Sequence, residues 1–140
     1  MVKETICIIV GTISSIIATA FGGWSTSVIT LVWFMGIDFA LGLIVAGVFK
    51  RSKKSKSGTL SSTASFKGLC KKFVMLLFVS LAYRMDVLMN TTFLKDAVAI
   101  SFIVNEALSI CENAGTMGVP IPSVLKKAIE VLRKDSEDVQ

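Results

Sequence analysis

Four carboxylates and one guanidinium stand inside stretches of the chain that are otherwise apolar. Asp38 interrupts the run from Val28 to Phe49, and Arg84 and Asp86 fall near the end of the run from Phe73 to Met89. Glu106 and Glu112 lie in "NEALSICEN", with Asn105, Ser109 and Asn113 between and beside them. This set is not built for catalysis. The chain has no histidine, no CxxC pair, no plausible nucleophile–base pair and no glycine-rich phosphate loop, so hydrolytic, redox and phosphoryl-transfer chemistry all lack their usual parts. Cys7, Cys70 and Cys111 are odd in number and each sits in or at the edge of an apolar block, as small buried hydrophobes do, and neither a disulfide framework nor a zinc site is expected. The chain is read as a non-enzyme that needs no cofactor and no metal.

What is left is the chemistry of polar groups in a nonpolar solvent. Insertion scales put a charge at the centre of a membrane helix at about 2.5–3.5 kcal/mol. Several are tolerable only if they face one another, face water or lie near the headgroups. Arg84 and Asp86 close their run and suit snorkelling to the outer interface. Asp38 and Glu106 lie too near the middle of theirs for that.

The composition demands such a solvent. Of 140 residues, 53% are hydrophobic and 18% charged, with a mean hydropathy of +0.72; soluble domains carry about 25% charged residues. The apolar residues come in blocks, the pattern of membrane spans. One block runs from about Thr5 to Phe21, and "FGGWSTS" supplies a turn before the next, Val28 to Phe49. Together, residues 1–49 read as a transmembrane helical hairpin. Residues 50–72 read as a basic cytoplasmic loop, flexible and solvated or in part a short interfacial segment. Eight cations stand there (Lys50, Arg51, Lys53, Lys54, Lys56, Lys67, Lys71 and Lys72) with no acid among them. A cluster beside hydrophobic spans marks the cytoplasmic side and can touch anionic headgroups, so the net charge of +5 is not read as nucleic-acid binding.

Residues 73–118 hold a third block, Phe73 to Met89, and a shorter, polar fourth, about Ala97 to Cys111, closed by Gly118, Pro120 and Pro122. Residues 119–140 form a charged cytoplasmic tail. Within it Leu125, Ala128, Ile129 and Leu132 keep helical spacing and Glu130 precedes Lys134 by four, which predicts a short amphipathic helix. The architecture is thus all-α, with three to four transmembrane helices. Both termini lie on the cytoplasmic side with the basic loop.

Spacing places Asp38, Gly42 and Ala46 on one stripe, and Gly11, Ser15, Ala18 and Gly22 on another. Small residues let membrane helices approach closely, either within the chain's own hairpin or between subunits. Asn105, Ser109, Glu112 and Asn113 cluster on one side of their helix with Glu106 at the flank. A single copy has no good place for that face, whereas several copies could satisfy it against one another or against water.

These stretches resemble the toxin-secretion and phage-lysis holin family. The resemblance runs from Asp38 to Leu132 through "DFALGLIVAG", "LSSTASFKGLCKK" and "NEALSICENAGTMGVPIPSVL", the last being the specific part. It implies a small phage or prophage protein that oligomerises in the bacterial cytoplasmic membrane. There it opens timed lesions through which an endolysin, or in some relatives a large toxin, leaves the cell. The positions matching the pattern are Asp38, Gly42, Ser62, Gly68, Lys72, Asn105, Glu106, Ser109, Glu112, Asn113, Gly118, Pro120 and Pro122. The resemblance implies packing, turn formation and contacts between subunits for them. The alternative reading is a small ion channel or transporter subunit whose intramembrane acids relay ions.

Overall fold

The computed structural model describes residues 1–138; Val139 and Gln140, the end of the charged tail, lie outside the described residues. Among these, five helices and no strands occur: α1 (Val2–Ala20), α2 (Thr26–Gly47), α3 (Ser62–Met89), α4 (Leu94–Thr116) and α5 (Ser123–Glu137). By length and composition, α1 and α2 are apolar enough to cross a membrane. At 1.5 Å per residue the 22 residues of α2 reach about 33 Å, enough for the ~30 Å hydrocarbon layer. The three to four crossings expected are met on these grounds by two helices.

The α1–α2 turn is set by glycine. Gly22 and Gly23 take φ of +70° and +103°, a region that glycine enters without strain. A methyl group on Gly22 would also overlap the Tyr83 ring. Ser25 then caps α2, its side chain accepting from Val28 N at 3.5 Å.

α2 packs on α4 and runs parallel to it, and α3 runs antiparallel beside both. Phe21, Val28, Leu31, Met35, Val79, Ala99 and Ile103 form the core. α4, the polar fourth segment, is therefore the central helix, shielded by α2, α3 and α5. α1 has no buried residue and is tied to the bundle at its C-terminal end. There Ser80 Oγ donates to Ala20 O at 2.8 Å and Lys95 Nζ to Phe21 O at 3.2 Å.

Three expectations need correction. First, α3 begins at Ser62, so residues 62–72 are helix rather than loop. Ser61 accepts from Ala64 N at 3.4 Å, and a helix so capped starts before its apolar run. What remains of the loop is tied to itself and to the end of α2. Ser52 N donates to Gly58 O at 2.9 Å, Arg51 N to Val45 O at 3.1 Å and Ser55 Oγ to Thr59 O at 2.7 Å.

Second, Asp86 does not snorkel. It is 4% exposed and accepts from Thr91 Oγ1 at 2.6 Å, Leu94 N at 3.1 Å and Lys95 N at 2.8 Å. It thereby satisfies free N–H groups at the start of α4, which Asn90, left-handed at φ +54°, turns into reach. Arg84 is exposed.

Third, α5 is not a free tail beside the basic loop. Gly118, at φ +79°, closes α4, with Val119 N donating to Ala114 O at 2.9 Å, and Pro120 and Pro122 lie in the connection. α5 then folds back along α4 with Ile129 buried. Its Asp135 and Ser136 line a cavity with Thr92, Phe93 and Asp96 at the start of α4. Of the apolar stripe of α5 only Ile129 is covered by this packing; Leu125, Ala128 and Leu132 stay exposed.

Candidate functional site

Where α2, α3 and α4 meet, one polar cluster gathers residues far apart in the chain. Asp38, from the middle of α2, is 3% exposed, and Glu106, from the middle of α4, is 6% exposed. Lys72 of α3 reaches between them. Its Nζ lies 2.8 Å from Asp38 Oδ2 and also pairs with Glu106 Oε2. Asn113 Nδ2 donates to the other oxygen of Asp38, Oδ1, at 3.1 Å. Glu106 and Asn113 stand seven residues apart, two turns of α4, so one face of that helix delivers both. The three charged groups sum to −1 formally (+1 − 2).

Each of these groups would be costly alone in a nonpolar interior. Together they satisfy one another, and among the described residues no buried side-chain N or O lacks a partner. One copy thus has a place for Glu106 and Asn113, two members of the polar side of α4. Part of that face is used within the chain. Asn105 and Glu112 are exposed, and Ser109 is half-buried beside the cluster. They are the groups left for water or for another subunit.

The Asp38–Gly42–Ala46 stripe faces Ala64 and Gly68 of α3 across a cavity of about 50 Å³. A Cβ on Gly42 would meet nothing within 4 Å. Close approach of helices within one chain therefore does not explain this glycine. The same holds for Gly11, and α1 as a whole has no buried residue.

Of the basic residues, Lys50, Arg51, Lys53, Lys54 and Lys56 stand in the loop and Lys71 is exposed on α3. Lys72 was expected to mark topology and instead enters the cluster. The signal was present in the sequence: Lys72, Val79 and Asp86 recur every seven residues and share one inward face. Reading the helix as starting at Phe73 hid it.

A second polar set ties the opposite end of the bundle. Ser27 Oγ donates to Asp96 Oδ1 at 2.5 Å, and Lys95 Nζ lies 5.7 Å from the centroid of the Tyr83 ring, within cation–π range. Ser27, Lys95 and Asp96 lie at the edges of apolar blocks and Ser80 is a lone hydroxyl inside one, so none carried a sequence signal. Among the described residues no three His, Cys, Asp or Glu side chains are grouped to hold a metal ion.

Comparison with known proteins gives this arrangement its context. The sequence pattern of the bacteriophage holin family matches residues 15–134. An uncharacterized protein of Listeria monocytogenes is 37% identical over 122 residues, covering 84% of this chain and 80% of the relative. An uncharacterized 14.9 kDa protein in the nagH 3′ region of Clostridium perfringens is 35% identical over 114 residues, 80% of each chain. A probable holin of Bacillus phage phi105 is 32% identical over 102 residues, covering 72% of this chain and 70% of the relative. No solved structure matches.

Proposed function

The chain belongs to the bacteriophage holin family, and from that premise we propose that it oligomerises in the bacterial cytoplasmic membrane and opens timed lesions that release an endolysin or a large toxin. The observation that carries the reading is the buried Asp38–Lys72–Glu106–Asn113 cluster. It lets one subunit hide polar groups inside the membrane until assembly offers them water or another subunit. The holin family is typically non-enzymatic, and no chemical step is assigned to this chain.

In this reading α1 and α2 cross the membrane as a hairpin. α3 crosses through Phe73–Met89, whose Phe73, Leu77, Phe78, Leu81 and Leu88 are exposed and would face lipid. α4 crosses as the shielded fourth helix. The basic loop and N-terminus then lie in the cytoplasm, where clustered Lys and Arg are retained. α4 also ends on that side.

The magnitudes decide the fate of α5. Lys126, Lys127, Arg133 and Lys134 are exposed on it, and placing four such charges in lipid would cost on the order of 10 kcal/mol. Burying Ile129 returns about 2 kcal/mol. A docked α5 is compatible only with water on its outer side. In this reading α5 lies at the cytoplasmic surface while a lone subunit is surrounded by lipid, and takes the docked position once the assembly puts water along its outer side.

The test is expression in a bacterial host together with a cytoplasmic endolysin lacking its own export signal. Abrupt release of the enzyme after a delay is expected. Leakage of ions or small dyes without passage of a folded protein would overturn the lesion and favour a small channel.

A further inference from the structure

A cavity of about 350 Å³ opens beside the cluster, and three lysines besides Lys72 line it: Lys54 from the loop and Lys67 and Lys71 from α3. All three are exposed, and among the described residues none is paired with a carboxylate. The acids at its floor, Asp38 and Glu106, are already held by Lys72. Three unneutralised cations around one opening repel one another unless an anion joins them.

The site is built rather than incidental. The loop is closed on itself by the Ser52–Gly58 and Ser55–Thr59 hydrogen bonds, which fixes where Lys54 stands. Gly58, at φ +73°, makes that closure possible, since a Cβ there would lie 2.6 Å from Lys50 O. Ala64 and Gly68 keep the α3 wall low.

The surface beyond the cations identifies the anion. Lys67, Lys71, Val74 and Phe78 follow one another at i, i+4, i+7 and i+11, a single stripe of α3. Its first two positions are cationic, and the next two are apolar side chains left 47% and 52% exposed. A polar anionic head with a hydrocarbon chain attached matches that order, whereas a free anion would use only the first half. We propose that this cavity binds the phosphate of an anionic phospholipid, with an acyl chain lying along Val74 and Phe78. The proposal rests on the membrane reading above but not on lesion formation.

The experiment uses the full chain purified in neutral detergent. Equimolar phosphatidylglycerol and phosphatidylcholine are offered, and retained lipid is measured by native mass spectrometry. The wild type should retain phosphatidylglycerol preferentially. The combined variant K54Q/K67Q/K71Q should lose that preference by roughly tenfold or more. K54R/K67R/K71R, which keeps the charge, should retain it, as should K126Q/K127Q, which removes charge elsewhere. Excess inorganic phosphate should not displace the lipid. Equal loss in the arginine variant or in the Lys126/Lys127 control, or displacement by phosphate alone, overturns the proposal. A wild type that releases endolysin normally but shows no lipid preference overturns this inference and leaves the lysis reading standing.

Discussion

Lys72 is the residue on which the cluster depends, because it is the single cation facing two buried carboxylates. Replacing it by methionine leaves both acids buried and uncompensated, and breaking buried pairs in this way costs about 3–5 kcal/mol. Lys72→Met should therefore lower the thermal unfolding midpoint in detergent markedly. Asp38→Asn takes the formal sum from −1 to 0 and keeps a carbonyl acceptor for Lys72, while a flipped Asn113 amide can accept from the new NH2, so its loss should be clearly smaller. Equal midpoints for the two variants would show that the charges are not coupled. Glu106 sharpens the functional side of the argument. Glu106→Gln preserves shape and most hydrogen bonding, and should mainly shift the timing of release. Glu106→Leu should insert as well as the wild type yet release less of a co-expressed endolysin, because Lys72 then keeps only Asp38. Normal release from Glu106→Leu at normal protein level would make this carboxylate incidental. The sequence pointed to Asp38, Glu106 and Asn113 because charge in a hydrophobic run is conspicuous. Lys72 was named for its match and its charge, but its pairing was hidden, since a lysine among lysines is not conspicuous.

Among the elements, α4 is the least suited to stand alone, and its start is held by a residue of the preceding helix. Asp86 accepts from two backbone N–H groups there, so Asp86→Ala should cost about 1–3 kcal/mol and expose the first turn of α4 to hydrogen exchange. Arg84→Ala, at an exposed position, should change neither; comparable effects from both would refute the capping role. A similar argument applies to the α1–α2 turn. Gly22→Val meets both a left-handed φ and the Tyr83 ring, so it should free α1 from the bundle, seen as faster proteolysis near residues 21–25 in detergent. The two N-terminal helices, the helix through Phe73–Met89 and the amphipathic α5 were legible because period and block length carry them. The beginning of α3 was not, because Ser, Thr and Lys read as loop until Ser61 is recognised as a cap. The burial of Asp86 was likewise hidden, since a carboxylate near a block end looks like an interfacial residue until the next helix is placed on it.

Across the whole molecule the sides differ. α2 and α3 expose Ile29, Val32, Trp33, Leu77 and Phe78, whereas α5 exposes Lys126, Lys127, Arg133 and Lys134. The α2 and α3 side is thus apolar, whereas α5 mixes these four cations with exposed Val124, Leu125, Val131 and Leu132. If α5 docks on α4 in the assembled state, cysteines at Ser136 and Thr92 in a chain otherwise free of cysteine should be joined by a short bifunctional thiol reagent once release begins. They should not be joined beforehand. Crosslinking that is independent of release, or absent throughout, would refute the movement. A cysteine at Ser57 should resist an impermeant reagent in intact cells before lysis; labelling from outside would invert the topology. The direction of α5 could not be read from the sequence. Its stripe announces a partner without naming one, and only the placement of Phe93 and Asp96 beside Asp135 and Ser136 does so.

The cluster also has a history in time. Asp38 lies 34 residues before Lys72, and Lys72 lies 34 before Glu106. At ~5–20 residues per second of synthesis, each interval lasts roughly 2–7 s. In the proposed insertion Asp38 therefore precedes Lys72 into the membrane, and it does so in α2, the most apolar of the five helices. Lys72 and Glu106 arrive in helices too polar to insert readily by themselves, at moments when an opposite charge is already waiting inside. The order in which the helices are translated is thus the order in which they can be received, and a circular permutation that made α4 first would strand Glu106 without a host.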